Sequence, residues 1–180
     1  QSDLATPYWA WGARAEPEEF WQIWDGTAPT SHLYGLREAL DMIHEEGLPN
    51  VWKRHHTLAS TVWAAFDAWS AGNPAIAMNV ADRACRGWSV TAARFGAPHA
   101  TRLRDWCESK AGVTLGIGLG MAPTTDPAYH GFLRVGHMGH VNAHMTLGAL
   151  AVMEAGMTAL GIPHGDGALA AAAKVVANGA

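Results

Sequence analysis

The chain reads as an α+β domain, a small and mainly antiparallel sheet covered by helices on one face, and three observations carry that reading. Apolar residues recur at helical spacing in long segments towards both ends and switch to short β-type runs in the middle. No βαβ crossover of full length repeats, so a parallel sheet has no scheme to form on. With 49% hydrophobic residues, a chain of 180 has ample core for one compact domain and little for two.

Taken in order, residues 1–19 mix turn formers with Tyr8, Trp9 and Trp11 without periodicity, and are expected to form an extended arm that docks by its rings. Trp21 and Trp24 continue the aromatic density before turn and cap residues at 25–31. From 31 to 46, Leu33, Leu36, Leu40 and Ile43 form one stripe of a helix, with Arg37, Asp41, Glu45 and Glu46 on its other side and Gly47 as its stop. A second helix is expected from Asn50, as N-cap, to about Ser70, periodic in Trp52, Leu58, Val62, Phe66 and Trp69.

The period then changes. Residues 75–80 and 88–95 read as short strands separated by a polar loop with Asp82, Arg83 and Arg86. Residues 99–111 form an amphipathic helix with Leu103, Trp106 and Cys107 inward. Strand resumes at 113–115 and enters a run with Gly116, Gly118 and Gly120. After a proline-bearing loop, Phe132, Leu133 and Val135 make a strand that Gly136 and Gly139 break just before a long apolar helix from Val141, and a last helix spans about 167–177.

Charge and composition exclude several classes. The net charge is −4 and the basic residues are scattered, which leaves no nucleic-acid footprint and no polybasic membrane patch. The apolar segment 141–162 holds Asn142, His144 and Glu154, which suits a core helix better than a membrane span. Cys85 and Cys107 lack metal-type spacing and read as plain buried thiols of a cytoplasmic protein. No targeting or lipidation motif and no internal repeat is visible. The chain starts at Gln1 rather than methionine, so a processed or truncated start is expected.

Four constellations could carry chemistry. Arg134 is a cation on a mostly apolar strand, and a guanidinium there needs an anion: either one of the chain's own acids or a substrate carboxylate held by a bidentate clamp. Gly116, Gly118 and Gly120 do not follow the dinucleotide spacing and precede a proline-bearing loop, so they read as a plain loop or as places of close backbone approach. His137, His140 and His144 would share one face of a continuous helix and could make a metal-binding module, but Gly136 and Gly139 place the first two in a turn, where turn-stabilising or pocket-lining roles fit better. Thr27 lies just ahead of a helix N-terminus, which favours a phosphate; otherwise it is a loop hydroxyl.

The stretch Leu133-Arg134-Val135-Gly136-His137-Met138-Gly139 before a long apolar helix resembles the C-terminal signature of the class V aminotransferases, fold type I enzymes of the alanine-glyoxylate and serine-glyoxylate type that use pyridoxal 5'-phosphate. Leu36-Arg37-Glu38-Ala39-Leu40, Glu45-Glu46-Gly47-Leu48, Trp52, Arg54-His55 and residues 113–120 extend the resemblance in the right order over nearly the whole chain. It implies the C-terminal small domain of that fold over residues 31–180, with residues 1–30 an arm and linker from a larger domain, in a homodimer. It implies Arg134 as the α-carboxylate site, Thr27 as a contact to the phosphate of the neighbouring subunit's cofactor, and Trp24 at an aromatic phosphate contact where only the indole nitrogen can donate. Small amino donors, serine or alanine, and 2-oxo acid acceptors, glyoxylate or pyruvate, are the implied substrates.

One departure matters. Lys53, Lys110 and Lys174 all fall on predicted helices or helix ends, and none has the context of the family's Schiff-base lysine. The chain is therefore expected to be the C-terminal portion of a longer enzyme, inactive alone and dependent on a lysine-bearing large domain. Alternatives are the histidine-based metal-binding module and a non-catalytic dimerisation domain.

Overall fold

A computed structural model describes residues 6, 9–24 and 26–179. Tyr8 of the arm, Asp25 of the turn, the start at Gln1 and the terminal Ala180 lie outside the described residues. The chain forms two compact units, Gln1–Leu48 and Pro49–Ala180.

In the first unit, helix α1 (Gly12–Ala15), a 3-10 turn (Phe20–Trp24) and helix α2 (Thr30–Glu46) follow one another. The segment expected to be extended is thus partly helical, because local bonds such as Ala15 N–H to the Trp11 carbonyl (2.9 Å) satisfy its backbone. Gln22 Oε1 accepts from the N–H groups of Glu18 and Glu19, which fixes the 3-10 turn. The rings of Trp9, Trp11, Phe20 and Trp21 are exposed. Helix α2 buries none of its residues, and its stripe residues Leu36, Leu40 and Ile43 remain exposed. Gly47, at φ +81°, ends it with its N–H on the Ile43 carbonyl.

In the second unit, helix α3 (Leu48–Gly72) begins two residues before Asn50, so Asn50 lies inside the first turn rather than capping it. Pro49 is tolerated there because a first-turn N–H has no intrahelical partner to lose. The middle of α3 is buried almost all round, from Leu58 to Trp69. Strands β1 (Ala77–Met78), β2 (Val90–Arg94), β3 (Gly116–Ile117) and β4 (Phe132–Gly136) form one antiparallel sheet in the order β1-β2-β4-β3. The third strand falls on the glycine run itself, not on 113–115. Helices α4 (His99–Ala111), α5 (Ala143–Ala159) and α6 (Ala168–Asn178) complete the unit.

Alternation along β2 and β4 decides the architecture. Thr91, Ala93, Leu133 and Val135 are buried, and the apolar ones join Val62, Phe66, Trp69, Leu103, Met153 and Met157 in a single core. Their neighbours Val90, Ala92, Arg94, Phe132 and Arg134 sit on the opposite face, half-buried or exposed. The helices of this unit cover one face only and leave the other uncovered by them, as the α+β reading expects. Helices α4 and α5 cross closely at Gly156, where a Cβ would stand 2.7 Å from Leu103 Cδ1 and 2.8 Å from Trp106 Cε3. The half-buried Glu154 on α5 accepts from Trp69 Nε1 at 2.8 Å, so this carboxylate is tied to α3. Among the described residues no helix is long and apolar enough to cross a membrane. Cys107 is buried as expected; Cys85 is exposed, its thiol 3.5 Å from Asp82 Oδ2 in a 3-10 turn too polar to enclose it.

Candidate functional site

Arg134 sits at the centre of the uncovered sheet face. In register it lies between Ala92 of β2 and Gly116 of β3, two residues with little or no side chain. The guanidinium therefore extends over Gly116, and Nε donates to the Ile117 carbonyl at 2.7 Å. A Cβ at Gly116 would stand 3.1 Å from Arg134 Cβ, and one at Gly118 would collide with Phe132 Cβ. Close backbone approach, one of the two readings left open for these glycines, is thus what β3 requires. The strand supplies an anchored stem; Nη1 and Nη2 have no hydrogen-bond or ion-pair partner among the described residues. A structural salt bridge to one of the chain's own acids is accordingly absent among those residues. With Nε engaged, the fork left for an anion is the end-on pair Nη1 and Nη2.

The turn after β4 is held from two sides. His137 is buried, its backbone N–H bonded to the Ser89 carbonyl, its Nδ1 2.9 Å from the Trp88 carbonyl and its Nε2 2.9 Å from Thr91 Oγ1. Trp63 Nε1 donates to Thr91 Oγ1 at 3.1 Å. The Thr91 hydroxyl proton therefore goes to His137 Nε2, and Nδ1 carries the proton given to Trp88. Burial pushes the His137 imidazole below the ordinary histidine range, the Trp88 carbonyl partly offsets this, and the neighbouring His55 adds a smaller push in the same direction. Further along, Arg54 Nη1 donates to the carbonyls of Gly139 (2.8 Å) and Val141 (2.9 Å), and His55 Nε2 accepts from Gly139 N–H at 3.2 Å. Asn142 caps α5 through Met145 N–H.

His137 has both ring nitrogens committed, and no group of three or more His, Cys, Asp or Glu suited to a metal forms among the described residues. Through these bonds His137 holds the turn to Trp88, Ser89 and Thr91.

Thr27 and Trp24 belong to the first unit, Arg134 to the second. Thr27 is exposed, three residues before α2, whose N-terminus receives no side-chain cap from Pro29. Thr30 N–H is taken by the Ala28 carbonyl and Leu33 N–H by that of Pro29, so among the described residues the N–H groups of Ser31 and His32 are left open to an acceptor. Trp24 Nε1 is shut off from solvent with no hydrogen-bond partner among the described residues, an orphaned donor of the kind a phosphate oxygen would satisfy. Lys53, Lys110 and Lys174 are all exposed on helices α3, α4 and α6.

No family model matches the chain. It is 33% identical over 151 residues to a serine-glyoxylate aminotransferase of Arabidopsis thaliana, covering 84% of this chain and 35% of that relative. An L-aspartate-glyoxylate aminotransferase of Paracoccus denitrificans is 32% identical over 154 residues, with 82% and 35% covered. The crystal structure of a ureidoglycine-glyoxylate aminotransferase from Bacillus subtilis superposes with a TM-score of 0.67 at 26% identity, covering 80% of this chain and 35% of that one. The chain is homologous to the C-terminal part of a class V aminotransferase. This class V homologue spans about a third of the length of the relatives it matches. The sheet and its helices correspond to the small domain of such enzymes.

Sequence reasoning located Arg134 and the glycine run but not the partners of the turn. Thr91 and Trp63 gave no signal, because a threonine in a strand and a tryptophan in an apolar helix look like ordinary core residues. Arg54-His55 stood in the class V pattern, yet their attachment 85 residues away to Gly139 is visible only in three dimensions.

Proposed function

We propose that this chain is the carboxylate-binding C-terminal portion of a pyridoxal phosphate-dependent aminotransferase that moves an amino group from a small amino acid, serine or alanine, to glyoxylate or pyruvate. Residues 1–30 are its arm and linker and residues 31–180 its small domain; a lysine-bearing large domain and a second subunit complete the enzyme in the cytoplasm. The observation that carries this reading is Arg134: an anchored guanidinium on an uncovered sheet face, its terminal nitrogens without an acid among the described residues.

In that role Nη1 and Nη2 take the two oxygens of the substrate carboxylate, while the Nε bond to Ile117 fixes the plane of the fork. The cofactor, when bound, supplies the electron sink for chemistry at the substrate α-carbon. Thr27 would donate its hydroxyl, and Trp24 its orphaned indole N–H, to the phosphate of the cofactor in the neighbouring subunit. In this reading none of the chain's lysines anchors the cofactor or moves the α-proton, which the exposure of all three on helices supports. That work falls to the companion domain.

Arg134→Ala in the complete enzyme tests the reading. Losing two charge-assisted bonds, worth about 1.5–3 kcal/mol each, should raise KM for the 2-oxo acid by roughly 10²-fold or more. Arg134→Lys, which keeps the charge and loses the fork, should recover only part of the loss. An unchanged KM in Arg134→Ala would sink the assignment.

A further inference from the structure

The uncovered face of the sheet carries a second cation. Arg94 ends β2 and pairs with Ala77 of β1 and Phe132 of β4, whereas Arg134 pairs with Ala92, two residues back along the same strand. Directly paired residues and residues two apart share a face, so Arg94 and Arg134 stand on one face as diagonal neighbours, about 7–8 Å apart at their backbones. Arg94 is exposed and, among the described residues, has no hydrogen bond, ion pair or ring contact, not even with the adjacent Phe132. The Arg134 fork leans over Gly116 towards β3 while Arg94 stands on β2, with Phe132 of β4 between, so an anion that meets both must span Phe132. Of the other two corners of this patch, Ala92 has only a methyl group, and the half-buried Phe132 gives it an apolar floor.

We infer that Arg94 is a second carboxylate-binding residue, and that with Arg134 it makes this face a site for short dicarboxylates, an acidic amino acid or its 2-oxo acid. The inference rests on Arg134 as the site of the first carboxylate and goes beyond it in naming the substrate class: monocarboxylates occupy one arginine, diacids both. A serine or alanine donor uses Arg134 alone.

The test uses the 180-residue chain, the Arg Nε–Hε signals in its two-dimensional NMR spectrum, and sodium acetate and sodium succinate at matched ionic strength. Acetate should move the Arg134 signal only. Succinate should move both signals and bind roughly two- to fivefold more tightly, the gain of one added charge pair on an open face. In Arg94→Gln, whose exposed position leaves folding intact, succinate should fall to the affinity of acetate while acetate binds as before. The inference is overturned if succinate leaves Arg94 unmoved, or if Arg94→Gln keeps the succinate preference. Acetate binding unchanged in Arg134→Gln would overturn the underlying site as well, and is told apart by that result.

Discussion

Replacing Thr91 by valine probes the buried bond chain that holds the turn beyond Arg134. Valine has nearly the shape of threonine and keeps the methyl group, so packing is preserved and only the hydroxyl is lost. That hydroxyl accepts from Trp63 Nε1 at 3.1 Å and donates to His137 Nε2 at 2.9 Å. Trp63, Thr91 and His137 are 2%, 3% and 1% exposed, so water cannot replace it. Each buried polar group left without a partner costs about 1–3 kcal/mol, and two such groups give an expected loss of about 2–6 kcal/mol. Thr91→Ser is the control: it keeps both bonds and loses one methyl, about 1 kcal/mol. Urea unfolding followed by tryptophan fluorescence reads both variants, with the m-value unchanged if only the native state is altered. A valine variant as stable as the serine variant, or more so, would show that the hydrogen-bond chain contributes nothing and that the turn is held by packing alone.

The same site predicts a pH dependence. The folded His137 is held below its unfolded value of 6.5, so the unfolded chain takes up the proton first; stability should fall as pH drops below about 6.5 and level off once the folded imidazole is itself protonated. His137→Gln should flatten that slope in a pH series of urea titrations. Gly118→Ala should cost about 1–3 kcal/mol and loosen β3, because the new methyl would meet Phe132 at the strand that carries the Ile117 carbonyl. At pH 8 a maleimide should label the exposed Cys85 once per native chain and spare Cys107, whose thiol is pushed up to about 11 by burial; labelling of both would contradict the packing of α4. Pyridoxal phosphate with borohydride should leave the 180-residue chain without a stoichiometric adduct, and a single fixed site at Lys53, Lys110 or Lys174 would refute the assignment of the covalent step to another domain.

How much was legible in the chain follows from the range of each interaction. Local patterns were enough for the α+β class, for the helix at 99–111 and for the β4 strand that carries Arg134, because periodicity acts over a few positions. Motif order was enough to point to the class V relatives. Boundaries slipped where backbone pairing outweighs propensity: β3 lies on Gly116–Ile117 since only residues without bulk can pack beside Arg134 and Phe132. Register alone decided that Ala92, Arg134 and Gly116 form one row and that Arg94 shares its face. The long-range bonds from Arg54, His55 and Thr91 likewise belong to the tertiary structure, since hydrogen bonds between residues 46 to 87 positions apart exist only once the core has brought the strands and α3 together.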